Sequence, residues 1–183
     1  MKSRFNNAKM EQGVKLLLQG MGIDIKGENY AETPHRVAEL FKELLSPKPS
    51  NWKTFPTTYR GIVLLRNHKV VGLCPHHLQP VTMKVHIAYI PKKRALGLSK
   101  LARAVEEQLS MPVLQENLTQ DVANALDARL EPAGLAVVIA GTHGCMQNRG
   151  IESTGDVVTT VLRGVFLNVP AAREELFQMI GRP

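Results

Sequence analysis

Cysteine is scarce in this 183-residue sequence: there are two. Two cysteines cannot make a disulfide framework, so an ordinary buried core must hold the fold, and in a reducing compartment both are open to metal or catalytic work. Aromatic residues are 5% of the chain, which leaves little for stacking on bases. No run of five or more Lys or Arg occurs; the one local cluster is Pro91-Lys92-Lys93-Arg94. These two shortages argue against a nucleic-acid partner. No apolar run is long enough to span a bilayer, and no signal-like apolar stretch follows Met1-Lys2-Ser3-Arg4-Phe5-Asn6-Asn7. The expectation is a cytoplasmic protein with no membrane partner. Internal repeats and low-complexity segments are also missing.

What is present suits a globular chain. Hydrophobic residues make up 44%, and this length can bury a sizeable core, most naturally as one structural unit. Within it, residues 1–50 read as an N-terminal helical segment and 51–183 as the main domain. The net charge is +7. A phosphorylated small molecule fits that surplus at least as well as a polymer does.

Periodicity predicts the elements. Met10, Val14, Leu17 and Leu18 give a helix from Ala8 to Gly20. Thr33-Pro34 signals the next helix, with Thr33 as N-cap and Pro34 at the first helical position; it carries Val37, Leu40, Phe41 and Leu44. Residues 46–60 hold three prolines and read as a long loop. Gly61 to Arg66 and Val70 to Leu73 read as two short strands. Thr82 to Ile90 alternates, with Met83, Val85, Ile87 and Tyr89 on one face and Lys84 and His86 on the other. Pro80 bars a central-strand position. Helices follow over Leu98 to Ser110 and from an N-cap at Thr119 to Leu130. Leu135 to Ala140 is an aliphatic strand, Val157 to Val169 a strand region broken by Gly164, and Ala171 to Ile180 a closing helix. This order gives an α+β fold on a largely antiparallel sheet.

Cys74-Pro75-His76-His77 concentrates one cysteine and two of the six histidines in four residues. The other cysteine follows a histidine in Thr142-His143-Gly144-Cys145. Zinc takes thiolate and imidazole ligands, and a catalytic zinc site uses three of them and keeps one position open. Cys74, His77 and Cys145 would form such a set; the plain alternative is two cysteines packed as small hydrophobes. Side chains adjacent in an extended segment point apart, so His76 stays free for proton transfer while His77 binds metal. His143, two residues before Cys145, would share one side of a strand with it and is a second candidate acid or base.

Further motifs join these. Glu32-Thr33-Pro34-His35-Arg36-Val37, Cys74-Pro75-His76-His77, Val85-His86-Ile87-Ala88-Tyr89-Ile90-Pro91, Gly97-Leu98-Ser99-Lys100-Leu101, Gln115-Glu116-Asn117-Leu118-Thr119, His143-Gly144-Cys145 and Arg149-Gly150 occur in this order. From about Glu32 to Ile180 the sequence resembles the GTP cyclohydrolase I family. The resemblance implies the tunnelling fold, an antiparallel sheet with helices packed on one face. It also implies a toroidal homodecamer with active sites between subunits. The implied reaction converts GTP and water to 7,8-dihydroneopterin triphosphate and formate. By position, Cys74, His77 and Cys145 match zinc ligands, and His76 and His143 match acid/base histidines. Gln115 and Glu116 match residues that hold the guanine-derived ring. Ser99, Lys100, Arg103, Arg149 and Arg36 match positions around the ribose and triphosphate.

The implied chemistry suits these residue types. One carboxylate can accept from the adjacent N1–H and amino group of guanine, which fits Glu116. Cationic Lys100, Arg103 and Arg149 fit a triphosphate. Ser99 sits at an expected helix N-terminus, where free N–H groups favour phosphate. The pattern departs from the family at Pro75, where an acidic residue is usual; a charge beside the metal is lost and the turn is stiffened. The competing readings are a nitrile reductase of the same fold, a divergent protein acting on a related purine or pterin, a non-catalytic nucleotide-binding homologue, and a structural zinc domain that binds nucleic acid. The sequence leaves open whether the product feeds folate, biopterin or a deazapurine such as queuosine.

Overall fold

The structure is a computed structural model and describes residues 4–46 and 51–181. The chain divides into two compact units, Met1–Ser46 and Pro47–Pro183. In the smaller, α1 (Asn7–Gly20) packs on α2 (Thr33–Leu45). Asn6 caps α1, its side chain accepting from the Lys9 N–H at 3.0 Å. Asn7 Nδ2 donates to Glu39 Oε1 at 2.6 Å, and His35 Nδ1 meets Glu11 Oε1 at 3.1 Å. That glutamate raises the His35 pKa. The N-cap of α2 is Glu32, one residue before the expected Thr33. Pro34 still lies in the first turn, where its missing N–H costs nothing.

The larger unit runs β1 (Thr54–Pro56), β2 (Val63–Leu73), β3 (Pro80–Ile90), β4 (Arg94–Leu96), α3 (Ser99–Gln108), α4 (Gln115–Leu130), β5 (Gly134–His143), α5 (Gly144–Gln147), β6 (Val157–Gly164), α6 (Val165–Asn168) and α7 (Pro170–Ile180). A four-stranded sheet has the order β2-β3-β5-β6, every pairing antiparallel, and β1 pairs with β4 in a separate ribbon. This is the expected α+β architecture. The expected loop at 46–60 contains β1; its residues 47–50 lie outside the described ones. The two short strands foreseen before Cys74 are one strand with a bulge between Leu65 and His68. Asn67 takes the left-handed conformation there (φ 58°), which asparagine tolerates better than most residues. Pro80 is the first residue of its strand, where a missing N–H is admissible.

Alternation along β3 and β5 divides the interior. Val81, Met83, Val85, Ile87, Tyr89, Leu135, Val137 and Ile139 meet α3 and α4 on one face. Leu118, Val122 and Leu126 recur every fourth residue on α4 and are fully buried there; each contributes about 1.5–3 kcal/mol. The helices expected on one face are α3 and α4. Part of the opposite face is also covered: Ala88, Ala136 and Val138 pack with Phe166 of α6 and Leu176 and Ile180 of α7. His86 shares that opposite side but is 1% exposed, and neither ring nitrogen has a partner among the described residues. Burial lowers its pKa, with Arg66 and Lys84 adding to the effect, so the ring stays neutral.

The strand region expected over Val157–Val169 ends at Gly164, and Val165–Asn168 form α6 instead of more strand. Gly164 has φ 56° and ψ −127°, and a Cβ would overlap the Ala133 carbonyl oxygen. Gly164→Ala should therefore cost about 1–3 kcal/mol from backbone strain alone. For a chain of this size each kcal/mol lowers Tm by about 2–4 °C. Thermal unfolding followed by circular dichroism at fixed protein concentration checks this; an unchanged Tm would refute the assigned strain.

Candidate functional site

β2 and β3 are joined by a turn from Cys74 to Gln79. Cys74 N–H donates to the Gln79 carbonyl and Leu78 N–H to the Cys74 carbonyl, both at 2.9 Å. Leu78 closes the turn in the left-handed region (φ 53°), a conformation rare for leucine. The segment is thus folded, not extended. His76 and His77 separate because the turn rotates them: their ring centroids are 6.2 Å apart with planes at 77°.

β5 ends at His143, and the chain winds at once into α5, which carries Cys145. The expected shared strand face of His143 and Cys145 is therefore replaced by a strand-to-helix corner. Register does the rest. Val81 of β3 pairs with His143 of β5, so the turn leading into β3 meets the corner leaving β5. Cys74, His77 and Cys145 bring one ligand atom each within 4.8 Å of one another. Cys74 is buried, Cys145 intermediate and His77 exposed. The cluster can hold a metal ion. Burial, and then the adjacent Cys74, push the Cys145 thiol pKa up. Metal binding must displace protons from such thiols.

The His77 ring has two different neighbours. Its Nδ1 lies 3.8 Å from Cys74 Sγ, and its Nε2 lies 2.7 Å from Arg149 Nη1. Arginine is a donor only, so that contact requires a bare Nε2. If Nδ1 is given to a metal, Nε2 carries the ring proton and Arg149 is released to another acceptor.

Beside the cluster is a cavity of about 200 Å³. Cys74, Pro75, His76, His143 and Cys145 line one side, and Val113, Leu114, Gln115, Glu116 and Val157 another. Gln115 and Glu116 reach it because α4 starts at Gln115, four residues before the expected cap at Thr119. Thr119 instead lies inside the helix, its hydroxyl donating to the Gln115 carbonyl at 2.7 Å. Gln115 is buried, and its Oε1 lies 2.9 Å from His143 Nε2. Glu116 is exposed in the first turn of α4. Ser99, Lys100 and Arg103 are on α3, outside the cavity lining; Ser99 is its first residue, after an N-cap at Leu98. Lys100 Nζ donates to Asn51 Oδ1 at 2.8 Å. Arg36 is on α2 of the smaller unit. Sequence reasoning did not find the apolar walls Val113, Leu114 and Val157, whose spacing carries no local signal.

Comparison with known proteins follows this geometry. The sequence pattern described as GTP cyclohydrolase I matches residues 10–181. The chain is 43% identical over 175 residues to "GTP cyclohydrolase 1" of Aquifex aeolicus (strain VF5), spanning 94% of this chain and 95% of that one. It is 41% identical over 181 residues to "GTP cyclohydrolase 1" of Rhodopirellula baltica, spanning 96% of this chain and 79% of that one. Among solved structures, the archaeosine synthase QueF-Like in the apo form is 18% identical, with a TM-score of 0.42 over 64% of this chain and 97% of that one.

Purified protein should carry metal in near-stoichiometric amount, and Cys145→Ala should lose most of it, because two donors hold an ion far less well than three. Elemental analysis of both proteins measures this. Equal metal content in the two would remove Cys145 from the centre.

Proposed function

The chain belongs to the GTP cyclohydrolase I family, and on that premise we propose that it hydrolyses the guanine imidazole ring of GTP. The products are 7,8-dihydroneopterin triphosphate and formate. The observation that carries this reading is the convergence of Cys74, His77 and Cys145 beside a cavity lined by His76, His143 and Glu116.

Zinc is the metal that the donor set favours. A tetrahedral zinc with Zn–S near 2.3 Å and Zn–N near 2.05 Å holds sulfur and nitrogen about 3.6 Å apart. The 3.8 Å between Cys74 Sγ and His77 Nδ1 fits that value. When bound, the metal supplies activation of water at neutral pH. Pro75 puts no charge next to this centre, whereas Arg149, 2.7 Å from His77, puts a positive one beside it.

The protein's own residues do the remaining work. Glu116 accepts from the N1–H and amino group of guanine, holding the base by its edge. His76 and His143 deliver protons to ring nitrogens as C8 is detached. Arg149, freed from His77, offers a fork to the triphosphate. Ser99 at the start of α3, with Lys100 and Arg103 in its first turns, presents N–H groups and positive charge to the same anion. By the family match alone, Arg36 is a further candidate cation for the triphosphate.

The cavity supports a shared site. Pockets that take a whole small ligand run from about 300 to 1,000 Å³, and this one is about 200 Å³. It is sized for part of a nucleotide, and the residues proposed for the triphosphate lie outside its lining. A neighbouring subunit would complete it. Leu16, Leu17 and Met21, 58–64% exposed, offer apolar surface for assembly. The proposed assembly is a toroidal homodecamer in the tunnelling fold, and the proposed location is the cytoplasm.

Metal-loaded protein incubated with GTP should yield formate and, after oxidation, pterin fluorescence in step. Cys145→Ala should give neither. Zinc-bound protein that yields neither would sink the assignment. Glu116→Ala removes two hydrogen bonds to a charged acceptor, about 1.5–3 kcal/mol each, so kcat/KM should fall by roughly 10²–10⁴. Light scattering should return ten times the 20.2 kDa chain mass; a monomer that turns over GTP at full rate would exclude a shared site.

A further inference from the structure

Gln115 spends its whole side chain inside the protein. Its amide nitrogen donates to the Ile139 carbonyl at 3.0 Å, the Val157 carbonyl at 2.8 Å and Thr159 Oγ1 at 3.1 Å. Two of these are backbone carbonyls, which only accept, so the amide cannot be turned over. The hydroxyls close the circuit. Thr119 donates to the Gln115 carbonyl, and Thr159, 2.6 Å from Thr119 Oγ1, has that oxygen as its acceptor. Thr159 is then itself an acceptor for the amide. The amide has two protons for three acceptors and shares them among the Ile139 and Val157 carbonyls and Thr159 Oγ1.

The arrangement extends to His143. Gln115 Oε1 is an acceptor, and His143 Nε2 lies 2.9 Å from it. That nitrogen must therefore carry the ring proton. The residue opposite makes this possible: a Cβ at Gly141 would overlap Gln115 Oε1. Gly141 and His143 are two apart on β5 and face the same side, so one amide lies over the bare backbone of the first and bonds the ring of the second.

We propose that Gln115 is a positioning residue for His143, fixing the imidazole as its Nε2–H tautomer and leaving Nδ1 as the atom that exchanges protons with the substrate, with Gly141 supplying the space. This rests on the reading of His143 as an acid/base group. It assigns the Gln115 side chain to the histidine instead of to the guanine ring. Both amide protons are spent on protein acceptors, so the side chain has no N–H left to donate to a substrate.

The tautomer can be read directly. Full-length, metal-loaded protein labelled with ¹⁵N-histidine is studied by solid-state NMR without substrate, and the His143 signals are identified by their loss in His143→Gln. A protonated Nε2 with a bare Nδ1 is expected. A bare Nε2 overturns the proposal, whatever the enzyme does with GTP. Steady-state kinetics then separate positioning from substrate contact. Gln115→Leu and Gly141→Ala should each lower kcat by about 10²-fold, the scale of a misplaced acid/base group, with KM for GTP within about threefold of the parent. In both variants the His143 spectrum should show a mixture of tautomers. A raised KM with kcat and tautomer retained would return Gln115 to the substrate site and overturn the proposal. Absence of GTP turnover in the parent protein would defeat the functional reading alone, since the tautomer is decided by the spectrum.

Discussion

The uninterrupted antiparallel register between β3 and β5 is the constraint on which the site depends. Ten consecutive pairs run from Val81↔His143 to Ile90↔Gly134 without a bulge. The start of one strand is thereby tied to the end of the other. The turn that precedes β3 carries Cys74, His76 and His77, and the corner that follows β5 carries Cys145. A slip of one residue would move every inward side chain to the other face and separate the two halves of the cluster. The apolar residues that enforce the register, Val85, Ile87, Val137 and Ile139, are fully buried or nearly so. Core packing and the geometry of the candidate metal cluster are consequently one problem, and a sheet stable in any other register would leave Cys145 apart from Cys74 and His77.

α4 couples the same core to the cavity. Its middle and last turns bury Leu118, Val122, Leu126 and Leu130, while its first turn places Gln115 and Glu116 at the cavity wall. The burial of its apolar stripe fixes where that first turn lies. Polar groups at this junction are expensive unless paired. Gln115, Thr119 and Thr159 meet the requirement by bonding one another and the backbone of β5 and β6. His143 bonds the oxygen of the same amide, 2.9 Å away. His86, on the far side of the sheet, is the contrasting case: a buried ring with no partner among the described residues, kept neutral by its surroundings.

Much of this was legible residue by residue. The clustering of Cys74, His76 and His77, with Cys145 at a distance, pointed to one centre because thiolates and imidazoles are sparse and chemically matched. Alternation in Thr82–Ile90 separated Met83, Val85, Ile87 and Tyr89 from Lys84 correctly. It put His86 on the opposite face with Lys84, as found, but gave no sign that the ring is buried there. Thr119 was misjudged as a cap because a threonine before an apolar stripe has the local signature of one; its hydroxyl is satisfied by the Gln115 carbonyl from within the helix. The corner after His143 was also hidden, since Gly144-Cys145 has no strong signal for a single helical turn.

The sequence by itself determined the residue types, their order and the periods of the elements, because those depend on neighbours a few positions away. From these followed the α+β class, the candidate metal ligands and the family motifs. Only the tertiary structure decided which atoms meet. The distance from Cys74 to Cys145 is set by strand register and the Gln115–His143 bond by the packing of α4. The room for that bond is the side chain that Gly141 does not have. Each of these is a contact between residues far apart in the chain, closed by burial of a core that no local window contains.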